Sequence, residues 1–456
     1  MITPAAKSPS MALLLGAGAS FELGMPLVRG VTDQLLAYAC GPIDDSFEGI
    51  LGRGRTIPMR HAFLDLVVGH GMHYEQAIGW LERVEEHVQS NNLSKAELRG
   101  LYGHLRLWLI DIVSQQIALA QIQKVDARAT VVPLYRQIAC WATEHRPLWV
   151  FTLNHDLCVE QVAAQHGVRT SNGFFDNLAS YPNQNVRPDE RLFGRMLKYD
   201  SVLNGSAFFQ PGESGINLVR LHGAIHQFYM NHEGQPWIVQ LEPEVPSVAG
   251  WTEVAQDIAT KGNEDEFSAP GCITLRGVNE ESFRFHRTVL SGAHKAHPSD
   301  EFLRLPKYAP ILKDRKVIHV EDMREEPVAD RNDPAPIALE TFARQLQSIR
   351  RLVAIGYSFC DDHVNEVVAT WLSGHASRTL DIVSPFVDPN NLALFQGSIE
   401  RVHLIMRGAV DYLRMQEGRS EPLTPSEAEA IAELKKEDED LRKSIDELRR
   451  SYDDLR

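Results

Sequence analysis

No two of the five cysteines lie close enough in sequence to form a CxxC pair. Cys40, Cys140, Cys158, Cys272 and Cys360 are scattered, which excludes a local zinc knuckle. Their odd number reads as reduced thiols of an intracellular protein, so a cytoplasmic location is expected. No run approaches about 18 consecutive apolar residues, and no membrane span is expected. The first ten residues, MITPAAKSPS, carry no charged stretch leading into an apolar one. They read as a flexible lead-in rather than a secretory signal. Lys/Arg runs are also lacking. The formal net charge is −15, a diffuse negative field that opposes non-specific binding to nucleic acid or anionic membrane. The eighteen histidines form no HExxH pattern, His61, His70, His73, His286, His294 and His297 included, and no structural metal is expected.

What is present is ample for a large core. The 456 residues exceed one average domain, and the composition is that of an ordinary globular protein. Short apolar runs at residues 12–15, 148–153, 217–221, 351–355, 380–383 and 401–406 have the character of strands covered on both faces. Helical patterns between several of them predict an α/β fold. It would be a Rossmann-like parallel sheet with helices on both faces. Two insertions interrupt it. Residues 26–145 carry long helical patterns, including HYEQAIGWLERVEEHV from His73, and predict a helical lobe. Residues 171–216 look loop-rich, and residues 243–336, rich in Pro, Gly and charge, predict a second, irregular insertion. The main domain would then span residues 11–410. In the tail, residues 424–456, Ile431, Leu434, Asp438, Leu441, Ile445, Leu448, Tyr452 and Leu455 alternate by three and four. This heptad predicts a coiled-coil helix for oligomerisation or a partner, with Asp438 setting register. A helix packed on its own domain is the alternative.

The chemistry-bearing motifs follow the strands. MALLLGAGASFELGMP, from Met11, is a strand, a glycine turn and a helix start. Glycines allow a tight turn and close approach of backbone to a phosphate, and the helix end offers free N–H groups. A third fingerprint glycine would stand at position 21, which is Phe21, and no Walker lysine follows. GAGAS alone therefore fits a structural turn as well as a ligand site. VFTLNHDLCVEQ places Asn154 and Asp156 after a second strand. NLVRLHGAIHQFY places His222 and Gly223 after a third, and LVAIGYSFCDDHVNEVV places Gly356, Ser358 and Asp361 after a fourth. Singly, Asn154 and Ser358 could be helix caps and His222 a core residue. Four polar clusters on one sheet edge, where open α/β sheets bind ligands, are not accounted for by capping.

In order and spacing, GAGAS, TLNHD, LHG and GYSFCD resemble the sirtuin-like NAD-binding domain. More narrowly, they resemble its bacterial branch of NAD-hydrolysing immune effectors. The resemblance spans residues 12–384 and leaves the insertions and the tail uncovered. It implies that Gly16, Ala17, Gly18 and Ser20 form the phosphate turn. Gly356 and Ser358 would form the turn over the phosphates and the adenosine ribose, Asp361 would also bind the cofactor, and IVSP (Ile382–Pro385) would lie beside adenosine. It also implies a catalytic set of His222, Asn154 and Asp156. Histidine is suited to taking a proton from water or a ribose hydroxyl. Asn154 would hold a ribose hydroxyl or the attacking water, and Asp156 would orient these groups or favour the developing cation.

The resulting expectation is an NAD glycohydrolase that releases nicotinamide and ADP-ribose. It would act in antiphage defence, as a homo-oligomer or with a sensor or ATPase partner, and bind no nucleic acid directly. NAD would be substrate rather than resident cofactor. A non-catalytic module binding NAD or ADP-ribose is the alternative. A protein deacylase is disfavoured by the missing cysteine pairs, zinc included. A dehydrogenase is disfavoured by the missing third glycine.

Overall fold

The computed structural model describes residues 11–40, 62–81, 96–174, 179–182, 191–197, 199–232, 235–261, 272–276, 282–287, 334–387, 389–436, 440 and 443. Its thirteen described strands are β1 Met11–Leu15, β2 Leu148–Thr152, β3 Thr170–Ser171, β4 Ala179–Pro182, β5 Arg191–Met196, β6 Ile216–Arg220, β7 Gln227–His232, β8 Gln235–Glu242, β9 Cys272–Arg276, β10 Ser282–Arg287, β11 Arg351–Ile355, β12 Thr379–Val383 and β13 Val402–Ile405. Seven of them form a parallel sheet in the order β13-β12-β11-β1-β2-β6-β3. The α/β class read from the sequence is therefore the fold observed.

Strand periodicity divides each buried strand between two cores. On β1, Met11, Leu13 and Leu15 face one core with Leu148 and Val150 of β2. Ala12 and Leu14 face the other with Trp149 and Phe151. The helices Cys158–Gln165 and Ala409–Gln416 cover the first face; Pro334–Leu346 and Asp362–Ser373 cover the second. β13 departs from the expectation of a strand covered on both faces. It is an edge strand, and Leu404 is 46% exposed.

The described parts of the insertions hold regular elements that their composition does not suggest. A third core joins Leu105, Trp108 and Leu109 of the Ala96–Ile122 helix to Trp251, Val254, Ala255 and Ile258 of the Val248–Lys261 helix. The first described part of the expected irregular insertion is thus a helix that completes the helical lobe. The lobe itself ends near Ile122. Val131 and Ile138, inside the expected boundary at 145, pack on the parallel sheet instead. A six-stranded antiparallel sheet, β4-β5-β8-β7-β10-β9, takes up parts of both stretches expected to be irregular. Strands β7 and β8 pair antiparallel, with His232 opposite Gln235. Residues 1–10, 41–61, 82–95 and 288–333 lie outside the described residues.

The tail begins a helix over residues 425–436. Thr424 and Glu427 form a capping box, each side chain accepting the other's backbone N–H. Pro425 sits at the first helical position, where its missing N–H costs nothing. Ile431 and Leu434 are buried in the core beneath the sheet, and Lys435 reaches Glu22 at 3.1 Å. These two heptad positions therefore pack on the chain's own domain, the alternative to a coiled coil. Asp438, Leu441, Ile445, Leu448, Tyr452 and Leu455 lie outside the described residues.

At the carboxyl edge of the parallel sheet each chain makes one more ladder bond before it departs. Gly16 N–H donates to Ile355 O (3.0 Å), Gly356 N–H to Val383 O (2.8 Å) and Ser384 N–H to Ile405 O (3.1 Å). Leu153 N–H donates to Leu15 O and Leu221 N–H to Thr152 O, both at 2.9 Å. The strand order reverses between β1 and β11, the position where open α/β sheets leave a crevice. There Gly18 N–H donates to Gly356 O (2.9 Å), and the two turns touch backbone to backbone. A Cβ on Gly18 would lie 2.8 Å from Gly356 Cα; one on Gly356, at φ 63°, would lie 2.2 Å from Ala19 N. Gly18→Ala and Gly356→Ala should each lower unfolding free energy by more than about 2 kcal/mol. Gly397→Ala, with open space around it, should stay within about 0.5 kcal/mol of wild type. Urea unfolding of the three variants checks this, and equal effects at all three sites would reject it.

Candidate active site

A cavity of about 990 Å³ opens at this edge, the upper end of the range for ligand pockets. All ten residues singled out in the sequence line it: Gly16, Ala17, Gly18, Ser20, Asn154, Asp156, His222, Gly356, Ser358 and Asp361. Ser384 and Pro385, at the end of IVSP, line it too, with Lys435 from the tail helix on the rim.

Hydrogen bonds hold the set in one geometry. Asn154 Nδ2 donates to Gly16 O (2.9 Å) and to Ser20 Oγ (3.0 Å). Ser20 Oγ donates to Asp156 Oδ2 (2.6 Å), and Asp156 Oδ1 accepts the Cys158 N–H (2.9 Å). Both Asp156 oxygens thus accept hydrogen bonds from the protein, and Asp156 orients Ser20 while joining the β1 turn to the start of the next helix. Asn154 is left with Oδ1 as the acceptor for an incoming group. The helix after Gly16 is only five residues, Ala17–Phe21, pinned by Tyr135 Oη donating to Ala19 O (2.7 Å).

His222 lies 2.7 Å, through Nε2, from Asp361 Oδ2. Asp361 Oδ1 accepts the Val364 N–H at 3.1 Å, capping the Asp362–Ser373 helix. One carboxylate therefore serves as helix cap and histidine partner. Asp361, expected to bind the cofactor, lines the cavity, and its carboxylate meets His222 and the helix start. Between these turns, Phe359 sits in the left-handed region (φ 59°), its buried ring against Tyr357 and Phe395.

Sequence reasoning missed three groups beside the cavity. The first is Arg220, at the last position of β6. It pairs with Glu160 in a buried ion pair and donates through Nη1 to Asn154 O at 2.9 Å. An arginine closing a short, largely apolar strand was the available signal. The second is His155, between Asn154 and Asp156. It is 4% exposed, and neither ring nitrogen makes a well-aligned hydrogen bond among the described residues, the Gly223 backbone giving only a weak contact. Burial first, then the adjacent His222, push its pKa down to about 3, with Glu75 opposing. The third is Glu75, from the helix over residues 74–81. It offers a ligand atom within 4.8 Å of those of His155 and His222. Burial and the Asp156 charge push the Cys158 thiol up, so it is not a nucleophile.

The sequence matches no protein-family model and no curated protein at a significant level.

Two outcomes follow from the buried charges. Arg220→Met leaves Glu160 uncompensated and should cost about 3 kcal/mol or more; adding Glu160→Gln should recover part of it, which denaturant unfolding of single and double variants measures. His226 is fully buried near Arg220, with Glu160 3.9 Å away, and burial lowers its pKa well below the usual value. The unfolded chain gains its proton below about pH 6.5, while the native state refuses it. Stability should fall with decreasing pH in that range by up to about 1 kcal/mol per unit from this group. His226→Leu should give a shallower slope between pH 7 and pH 5, and an unchanged slope would reject the assignment.

Proposed function

We propose that this chain is an NAD glycohydrolase, cleaving the bond between nicotinamide and ribose. One observation carries the reading: Asn154 and the His222–Asp361 pair converge on the cavity floored by the Gly16, Gly18 and Gly356 turns. The cavity's size suits a dinucleotide, and its place at the switch point is where such ligands bind in open α/β sheets. The family resemblance supplies the identity of the ligand.

In this reading Asp361 accepts from His222 Nε2–H, which fixes the tautomer and leaves Nδ1 as the basic atom. Asn154 Oδ1 holds a ribose hydroxyl or water. Water attacks the anomeric carbon as its bond to the nicotinamide nitrogen breaks. The bonding pair leaves with neutral nicotinamide, and the proton of the water passes to His222, giving ADP-ribose. Closing the pocket around an oxocarbenium-like state lowers its energy through oriented dipoles. Asp156 is a positioning residue, acting through Ser20 and the β1 turn. Loss of cellular NAD as an antiphage response, with control by self-assembly or a sensor or ATPase partner, follows from the resemblance.

Purified protein should consume NAD and release nicotinamide in equal amounts. His222→Ala should slow turnover by 10²–10⁴-fold, and Asn154→Ala by a comparable factor with folding retained. Full turnover by His222→Ala would remove the central role given to this residue.

A further inference from the structure

His155 does not fit the catalytic account above. A buried neutral histidine ordinarily donates from one ring nitrogen or accepts at the other. Here neither nitrogen makes a well-aligned hydrogen bond among the described residues, the Gly223 backbone giving only a weak contact, although the ring is 4% exposed. It stands beside His222, ring centroids 6.2 Å apart and planes 30° apart. Glu75 reaches the same point from the helical lobe, and one ligand atom from each residue lies within 4.8 Å of the other two. The largest triangle this permits has its centre about 2.8 Å from each corner. Zinc–nitrogen and zinc–oxygen bonds are about 2.0–2.2 Å, so each ligand would close by less than about 1 Å.

We propose that Glu75, His155 and His222 form a binding site for one divalent transition-metal ion of the zinc class. Two imidazoles and one carboxylate are the donor set that a borderline ion such as zinc prefers over calcium or magnesium. The supporting groups match. Asp361 Oδ2 lies 2.7 Å from His222 Nε2, the carboxylate–histidine arrangement that orients a ligating ring through its other nitrogen. Glu75 Oε1 accepts from Tyr74 Oη at 3.3 Å, and Oε2 lies 3.8 Å from His73 Nδ1. Three protein ligands on a cavity wall leave a fourth position facing the cavity. The ion would engage the histidine that the glycohydrolase reading uses as base. Metal and NAD would then exclude each other, a consequence that rests on that reading, whereas the site itself does not.

The full chain, stripped with a chelator and exchanged into metal-free buffer without NAD, is titrated with zinc by calorimetry. Glu75→Gln and His155→Ala are treated likewise, each first shown to melt cooperatively. One zinc per chain, with affinity reduced by more than about tenfold in each variant, is expected. Should His155→Ala fail to fold, Glu75→Gln decides alone. No zinc uptake by wild type, or uptake unchanged in the folded variants, overturns the site. NAD turnover by the stripped wild type is measured in parallel. Zinc uptake without turnover would count against the glycohydrolase alone; turnover without zinc uptake would count against the metal site alone.

Discussion

Where the β1 and β11 turns meet, two main chains touch with no side chain between them. Gly18 donates to Gly356 O, and a Cβ on either glycine would overlap the opposite backbone. This spacing fixes the register of both turns to a fraction of an ångström, because backbone cannot yield as a flexible side chain can. Everything at the cavity inherits its position from this contact. Asn154 is bonded to the Gly16 carbonyl, Ser20 lies one turn beyond, and Asp361 leads out of the β11 turn toward His222. The glycines thus answer first to each other. Their availability to a ligand is a by-product of a contact the fold requires.

Around that contact the cavity wall is held by charges and polar groups rather than by apolar packing alone. Glu160 neutralises Arg220, Arg220 holds the Asn154 carbonyl, and Asp361 holds His222. Buried charges of this kind are costly to expose singly and add little as pairs. Their contribution lies in restricting the loops after β2 and β6 to one geometry. A site built from strand ends needs such ties, since the sheet ladder stops one residue beyond each strand.

The parallel sheet was legible because its strands are short, continuous apolar runs, a pattern that burial on both faces produces. The ten residues singled out were legible because each lies within about six residues after such a run. β13 misled, since an edge strand can carry the same apolar residues while one flank stays open. The antiparallel sheet was missed because most of its strands sit among Pro, Gly and charge, although QFYMNH and QPWIVQLE lie two residues apart, the spacing of a hairpin. Arg220 and Glu160 were missed because their pairing joins elements 60 residues apart. The Glu75–His155–His222 grouping has no local spacing at all. Two heptad positions, Ile431 and Leu434, looked like a seam because a helix lying on its own domain needs the same stripe.

The two halves of the β1–β11 contact are separated by about 340 residues of chain. A ribosome adding about 5–20 residues per second needs roughly 20–70 seconds to span that interval. The central strand of the sheet therefore waits, with one flank unpaired, until that interval has been made. The floor of the cavity comes into existence only when the β11 turn follows. A chain broken off before Gly356 lacks the half of the crevice that faces β1. Still-growing copies therefore carry no complete crevice, a delay that arises from strand order alone.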